Sequence, residues 1–393
     1  MSHAPPTPQT CPPRPSRRRY TALLSVLTIC VASVVALLVG DALLRPLLRH
    51  SLYVRPTPMY KNRWPINENL ERYDANVRYA GTIYGDLAVM LGQPEYREIR
   101  AVRFVTDEAG FRNEPGARSQ RNRLILLGDS FGAGSGGTQE SMLSSILNTR
   151  YQVTNYNLSM GGASPWQEFV TLKQEFSNIN LAPGAGILWL LFSGNDLEDL
   201  KSANFDVRHN GFFKRTAIML TTLYHRSPIR QLLQTRKDRR HLVAVERSGR
   251  VPLLFFVPYL ERVGRTKAQV IAHPGYLRLH DAVEAMTAFC DSHRLRLYIV
   301  LIPSKEEVYS WVADSPSRAV EPMAMSGLAQ VLQEWAKAKE IPFLDLGPDF
   351  EQAAQRELRA NARLLYWRDD THWNEAGQQL AAQLICERML CSP

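Results

Sequence analysis

From Arg123 to the C-terminus, short apolar runs alternate with longer segments of helical periodicity, and this rhythm limits the fold more than any other feature. Five runs read as strands: 123–127 (RLILL), 152–157 (QVTNYN), 187–193 (ILWLLFS), 295–302 (LRLYIVLI) and 341–346 (IPFLDL). Six segments between and after them read as helices: 139–149, 165–177, 274–293, 318–339, 349–361 and 374–389. The last has Asn374 as its candidate N-cap, with Ala376, Leu380, Leu384 and Ile385 at helical spacing. Strands that alternate with helices predict an α/β fold, with a parallel sheet and helices on both of its faces.

The N-terminus is of a different kind. Residues 1–19 are Pro-rich and polar and include Arg14, Arg17, Arg18 and Arg19. Ala22–Gly40 then runs 19 residues without a charge, which as a helix reaches roughly 28 Å, close to the hydrocarbon thickness of a bilayer. The expectation is one N-terminal transmembrane helix over 20–44, with a cytoplasmic basic tail (1–19) and everything after it exported. The alternative is a cleaved signal peptide, because Gly40-Asp41-Ala42 is small-x-small. Residues 45–120 read as a juxtamembrane connector with one candidate strand, 101–105. Five cysteines without C-x-x-C spacing call for neither zinc nor a redox pair. Cys386 and Cys391 either pair, in an oxidising compartment, or remain free thiols.

Residues 201–250 hold twelve Lys or Arg against three Asp or Glu, a surplus equal to the +9 of the whole chain. This segment belongs to an insertion at about 201–265. Its charge fits contact with a polyanion or an anionic membrane surface, and equally a solvated basic face. Nucleic acid is not expected as a partner, because no stacking aromatics or groove-reading motif accompany the charge.

One stretch, Gly128-Asp-Ser-Phe-Gly-Ala-Gly-Ser-Gly-Gly137, carries three overlapping signatures. As a dinucleotide fingerprint it fails. Gly128–Phe131 separates strand from glycines, and the expected acidic position falls in Thr154–Leu158, which has no carboxylate. As an α/β-hydrolase elbow it lacks the strands that should precede the nucleophile. The third reading is a serine nucleophile directly after the first strand of its domain, which needs a base, an orienting acid and oxyanion donors. An Asp shortly before a His occurs at Asp206/His209, Asp238/His241, Asp291/His293 and Asp369-Asp370/His372. Only the last lies in a loop after the final predicted strand, where a loop can reach the carboxyl ends of a parallel sheet.

Gly128-Asp-Ser-Phe131, Asn157-Leu-Ser-Met-Gly-Gly162, Ser193-Gly-Asn-Asp196 and Asp369-Asp-Thr-His372 resemble, in order, blocks I, II, III and V of the SGNH (GDSL-type) hydrolase family. Ser193 stands where that family has glycine. Asp107-Glu-Ala-Gly-Phe-Arg112 is similar to a G-F-R element of membrane-anchored members. The resemblance covers residues 123–389, assigns 121–393 to an SGNH hydrolase-like domain, and implies a flavodoxin-like, doubly wound sheet of about five parallel strands. It also implies Ser130 as nucleophile and His372 as base, with Asp369 (family spacing) or Asp370 (anchored relatives) as acid. The oxyanion donors would be the Ser130 backbone N–H, the Gly162 or Gly161 N–H and the Asn195 amide. No cofactor or metal is implied.

The function expected from this is a serine esterase or deacylase, acting on acyl esters, O-acetyl above all, of an envelope polysaccharide or lipid. An O-acyltransferase using the same residues is the first alternative, and a non-catalytic envelope glycan-binding or assembly protein is the second. The expected location is the plasma membrane, with the domain facing outward.

Overall fold

The structure, a computed structural model, describes residues 17–48, 72–91, 96–202, 242–245, 253–313 and 325–391. The helices are α1 (Arg17–Leu48), α2 (Asp86–Leu91), α3 (Leu143–Thr149), α4 (Pro165–Glu175), α5 (Asp196–Ser202), α6 (Val257–Leu260), α7 (Lys267–Ile271), α8 (Tyr276–His293), α9 (Lys305–Ala313), α10 (Gly327–Ala338), α11 (Gly347–Asn361) and α12 (Glu375–Ile385). The strands are β1 (Arg78–Ile83), β2 (Arg100–Val105), β3 (Asn122–Leu127), β4 (Asn155–Asn157), β5 (Leu181–Phe192), β6 (Leu242–Val245), β7 (Leu253–Phe256), β8 (Arg296–Ile302) and β9 (Phe343–Asp345).

Five strands form one sheet in the order β4-β3-β5-β8-β9, and every pair in it is parallel. This is the flavodoxin-like order, and its direction of winding reverses between β3 and β5. The strands read as unbroken apolar runs because both faces are covered. Ile125, Leu127, Ile187, Trp189, Leu191, Ile299 and Leu301 pack with α4, α8 and α10. Their neighbours Leu124, Leu126, Leu188, Leu190, Phe192, Val300 and Ile302 pack with α3, α9, α11 and α12. One residue of register slip would exchange the two sets.

All five predicted strands are present, with shifted ends. β5 begins six residues early. Asn122 pairs Leu181 and Leu124 pairs Gly186 across a bulge in the register, so the strand runs through Pro183 and Gly184. The helix predicted over 139–149 is divided at Met142, whose extended backbone separates a short 3-10 turn from α3. The start predicted for 318–339 falls outside the described residues; α10 begins at Gly327 behind a Ser326 cap. Asn374 caps α12 as predicted, its side-chain oxygen accepting from Ala376 N–H at 2.9 Å and Gly377 N–H at 3.1 Å.

The segment before the sheet holds more order than its sequence suggests. The candidate strand 101–105 is β2, and it pairs antiparallel with β1, which no periodicity had marked. β6 and β7 form a second antiparallel pair at the edge of the basic insertion. Residues 203–241 and 246–252, with most of the basic surplus and the pairs Asp206/His209 and Asp238/His241, lie outside the described residues. The transmembrane helix expected over 20–44 is not supported: among the described residues no helix is long and apolar enough to cross a membrane. α1 is a 32-residue helix on which Leu24, Val26, Ile29, Val34 and Leu38 are exposed. Cys386 and Cys391, left open by the sequence, form a disulfide just beyond α12.

Candidate active site

The end of β3 delivers Ser130 to the carboxyl edge of the sheet, at the point where the winding reverses. Gly128 is required there by close approach: a Cβ on it would lie 2.9 Å from the Leu190 Cβ of the neighbouring strand β5. Asp129 is buried and shapes the turn, its Oδ1 accepting from Phe131 N–H at 2.9 Å. Burial raises the Asp129 pKa against the opposing pull of that N–H and of His372.

His372 arrives from the loop before α12. Its Nδ1 lies 2.6 Å from Asp370 Oδ1 and its Nε2 lies 2.7 Å from Ser130 Oγ. A carboxylate only accepts, so the network assigns the proton to Nδ1 and leaves the Nε2 lone pair facing the serine hydroxyl. Phe131 packs beside the imidazole with ring centroids 5.1 Å apart. Trp373 is buried in the core, stacked on Phe350.

Of the two candidate acids, only Asp370 reaches His372. Asp369 points the other way, because successive side chains in this loop diverge. Its Oδ2 accepts from Gly85 N–H at 2.7 Å and Glu98 N–H at 2.8 Å, and its Oδ1 from Arg100 Nη1 at 3.1 Å. Its backbone carbonyl accepts from Leu87 N–H and Ala88 N–H at the start of α2. Burial raises the Asp369 pKa, and Arg100 opposes the rise.

The oxyanion candidates are distributed around Ser130. Gly161 sits against it, since a Cβ there would be 3.6 Å from Ser130 Cβ. Gly162 has φ +71°, the left-handed turn that leads to the Ser164 cap of α4. Among the described residues the N–H groups of Ser130 and Gly161 have no hydrogen-bond partner. Asn195 follows β5, and its Nδ2 donates to Asp199 Oδ2 at 2.7 Å; no bond between Asn195 and Ser130 is present among the described residues. Ser193, in the glycine position of the motif, donates its hydroxyl to the half-buried Glu307 at the start of α9. Glu307 also accepts from Ser304 N–H at 2.7 Å. The larger side chain is therefore accommodated by a local partner.

Sequence reasoning missed the residues that hold this site. Arg112, fully buried, gathers the carbonyls of Ala133 (3.0 Å), Gly134 (2.6 Å) and Gly137 (2.7 Å) and also meets Gln139 Oε1 (3.2 Å). Residues 132–137 are thus a pinned loop. Burial lowers the Arg112 pKa to about 10, which still leaves it charged at neutral pH. Lys305, also buried, donates to the Asp370 carbonyl at 2.6 Å, and its pKa falls to about 8 for the same reason. Both lie far in sequence from what they hold. Arg112 had a signal in its G-F-R context; Lys305 had none. Among the described residues no cluster of His, Cys, Asp or Glu has the arrangement of a metal site.

No curated protein matches the chain. Among solved structures, a lipolytic protein of the G-D-S-L family from Veillonella parvula is 13% identical, with a TM-score of 0.35, over 68% of this chain and 98% of that one. An acetyl xylan esterase is 12% identical, with a TM-score of 0.33, over 68% and 99%. At such scores these likenesses carry no argument. The family model described as "SGNH hydrolase-like domain, acetyltransferase AlgX" matches residues 279–392, which include β8, β9 and the loop of Asp370 and His372 but not Ser130. Over that segment the chain is similar to the SGNH hydrolase-like domain of this family.

Proposed function

We propose that the protein moves acyl groups, acetyl above all, to or from hydroxyls by way of a Ser130 acyl-enzyme. The observation that carries this is the unbroken chain from Ser130 Oγ to His372 Nε2 at 2.7 Å and from His372 Nδ1 to Asp370 Oδ1 at 2.6 Å. Ser130 Oγ attacks the ester carbonyl carbon while His372 Nε2 takes its proton. The tetrahedral oxyanion is received by the N–H groups of Ser130 and Gly161, with Gly162 and the Asn195 amide as the other donors. Each such donor is worth ~3 kcal/mol by analogy. The carbon–oxygen bond to the alcohol breaks as His372 returns the proton to the departing oxygen. Asp370 holds the Nδ1 proton in place and stabilises the imidazolium.

The second half-reaction decides the name of the enzyme. Water as acceptor makes it an esterase; a sugar or lipid hydroxyl makes it an O-acyltransferase. The description of the family matched by residues 279–392 names an acetyltransferase and favours the second reading. Retention of Ser130, His372 and Asp370 in bonding contact weighs against a non-catalytic binding protein.

The substrate we propose is an acylated polysaccharide or lipid of the cell envelope, met outside the plasma membrane. Supporting this are the uncharged run Ala22–Gly40 behind Arg17–Arg19, the exposed Leu and Val side chains of α1, and the Cys386–Cys391 disulfide. The basic 201–250 segment suits an anionic partner, either a polyanionic glycan or a lipid surface.

The test is labelling of the full chain in membranes by a fluorophosphonate, with Ser130→Ala and His372→Ala beside it. Labelling is expected for the wild type and lost in both variants. No labelling of the folded wild type would refute the serine mechanism. Release of acetate from acetylated glycans, with and without a second glycan as acceptor, separates hydrolysis from transfer. Protease accessibility of the domain from the outer face of intact cells tests the orientation.

A further inference from the structure

Arg100 stands at the start of β2, outside the five-stranded sheet, and no step above uses it. It is nevertheless only 8% exposed, and its guanidinium is engaged on every side. Nη2 meets Asp370 Oδ2 at 3.1 Å, and Nη1 meets Asp369 Oδ1 at 3.1 Å and the Glu98 carbonyl at 3.0 Å. Nε donates to the Gly136 carbonyl at 2.7 Å. The guanidinium lies over the Trp367 ring, 4.2 Å from its centroid. One side chain therefore ties the loop of the nucleophile to the loop of the base and acid.

We infer that Arg100 is a positioning residue for the Ser130–His372–Asp370 chain: it holds Asp370 by Oδ2 so that Oδ1 faces His372, and it fixes Gly136 of the serine loop from the same plane. The inference rests on the triad reading. A carboxylate offers two oxygens, and a lone Asp370 could rotate either of them, or neither, toward Nδ1. With Oδ2 held by the planar fork, only Oδ1 is left for the imidazole, where it accepts from His372 Nδ1 at 2.6 Å and stands 3.3 Å from His372 N. The fork is held in turn by Asp369, whose three donors, Gly85 N–H, Glu98 N–H and Arg100, account for its burial. This gives the second acidic residue of the Asp369-Asp370 pair a distinct role. A lysine has no fork and cannot bridge both carboxylates and a carbonyl in one plane.

Charge is part of the argument. The groups facing the imidazole and its acid are Asp129 from the turn after β3, Arg100 and Glu98 from β2 and its approach, Asp369 from the same loop, and Lys305 from α9. Two cations, Arg100 and Lys305, thus stand among four carboxylates, and Arg100 alone touches both Asp369 and Asp370. Removing Arg100 removes positive charge beside the reacting groups, so the acid limb of the activity profile is expected to lie at higher pH.

The test uses the full chain in detergent, with turnover of p-nitrophenyl acetate followed against pH for wild type, Arg100→Gln and Arg100→Lys. For Arg100→Gln, kcat is expected to fall ~10²-fold with KM little changed, and the acid limb of the profile to move up by ~1 pH unit. Arg100→Lys keeps the charge, so its limb stays in place while kcat falls. A residue that only supported the fold would lower the fraction of active enzyme without moving the limb. An Arg100→Gln limb that coincides with that of the wild type, or full activity in that variant, overturns the inference. The downfield imidazole N–H resonance of His372 gives a readout independent of turnover. If the wild type hydrolyses no ester and takes no fluorophosphonate label, the triad reading fails, and this resonance still decides on Arg100. Its displacement in Arg100→Gln supports the positioning role, and an unchanged resonance overturns it.

Discussion

Replacing Gly85 by alanine would strike the site from a residue 284 positions away in sequence from the one it contacts. Gly85 is buried against Asp369, to which its N–H donates at 2.7 Å. A Cβ at this position would overlap the Asp369 carbonyl and stand 2.5 Å from Asp369 Oδ1. An ordinary C–H···O contact needs ~3.3 Å, so Oδ1 must retreat by roughly 0.8 Å and the carbonyl by more. The carbonyl is backbone, bonded to Leu87 N–H and Ala88 N–H, so it cannot swing aside as a side-chain end would. Asp370 is the next residue in the chain, and a displacement near 1 Å at a reacting group can cost ~10² in rate. Gly85→Ala is therefore expected to lower kcat ~10²-fold and to destabilise the fold by ~1–3 kcal/mol through overpacking. The assay is p-nitrophenyl acetate turnover, normalised to active sites counted with a fluorophosphonate, together with a melting curve. Gly116→Ala is the control. Its Cβ would meet nothing within 4 Å, but its φ of +78° should cost ~1–2 kcal/mol with turnover per active site unchanged. Wild-type turnover in Gly85→Ala would refute the claim that the segment before the sheet sets the position of the acid.

Asp370→Asn should reduce kcat by ~10⁴, the loss expected when a triad acid becomes an amide and the wrong tautomer is held; Asp369→Asn should reduce it less, and the reverse order would exchange their roles. Glu168 and Asp196 are buried and their pKa values are raised, mainly by desolvation. Because the folded pKa of Glu168 exceeds the unfolded value near 4.3, its contribution to stability is present at low pH and is lost as pH rises toward the folded pKa. Glu168→Gln, whose amide oxygen can still accept from Trp189 Nε1, should therefore melt above the wild type at pH 8. The gain should shrink toward pH 4, and a gain independent of pH would contradict the titration. Serine at both Cys386 and Cys391 should cost ~2 kcal/mol, the chain-entropy value for so short a loop. A reductant should then lower the melting temperature of the wild type and leave the variant unmoved.

The parts of the fold legible in sequence are those whose cause is local. β3, β5 and β8 are covered on both faces, so their apolar runs stand out without any pattern to decode. β1 is half-exposed along its length, with nothing on its RYAGTI string to distinguish it from a loop. Ser130 and His372 were legible because short motifs carry them. The choice between Asp369 and Asp370 was not, because it depends on which way two adjacent side chains turn. That direction is set by Gly85, Glu98 and Arg100, some 270 residues upstream. Arg100, Arg112 and Lys305 are charged residues in the interior, and their type alone argues for the surface. Only the carbonyls and carboxylates that the fold collects around them account for their positions.

The loop of Asp370 and His372 is fixed by Arg100, by Lys305 and by the docking of α12 on α3, where Gln378 Oε1 accepts from Leu143 N–H at 2.9 Å. A ribosome makes these partners in the opposite order to their use. The serine, its loop and all five strands of the parallel sheet are complete while the base is still unmade. Until the last helix closes, the nascent protein therefore carries a nucleophile that nothing activates. The final pairing spans 242 residues, so it belongs among the slowest contacts to form. Chemistry is thereby withheld from every unfinished or partly folded copy of the chain, wherever in the cell that copy is.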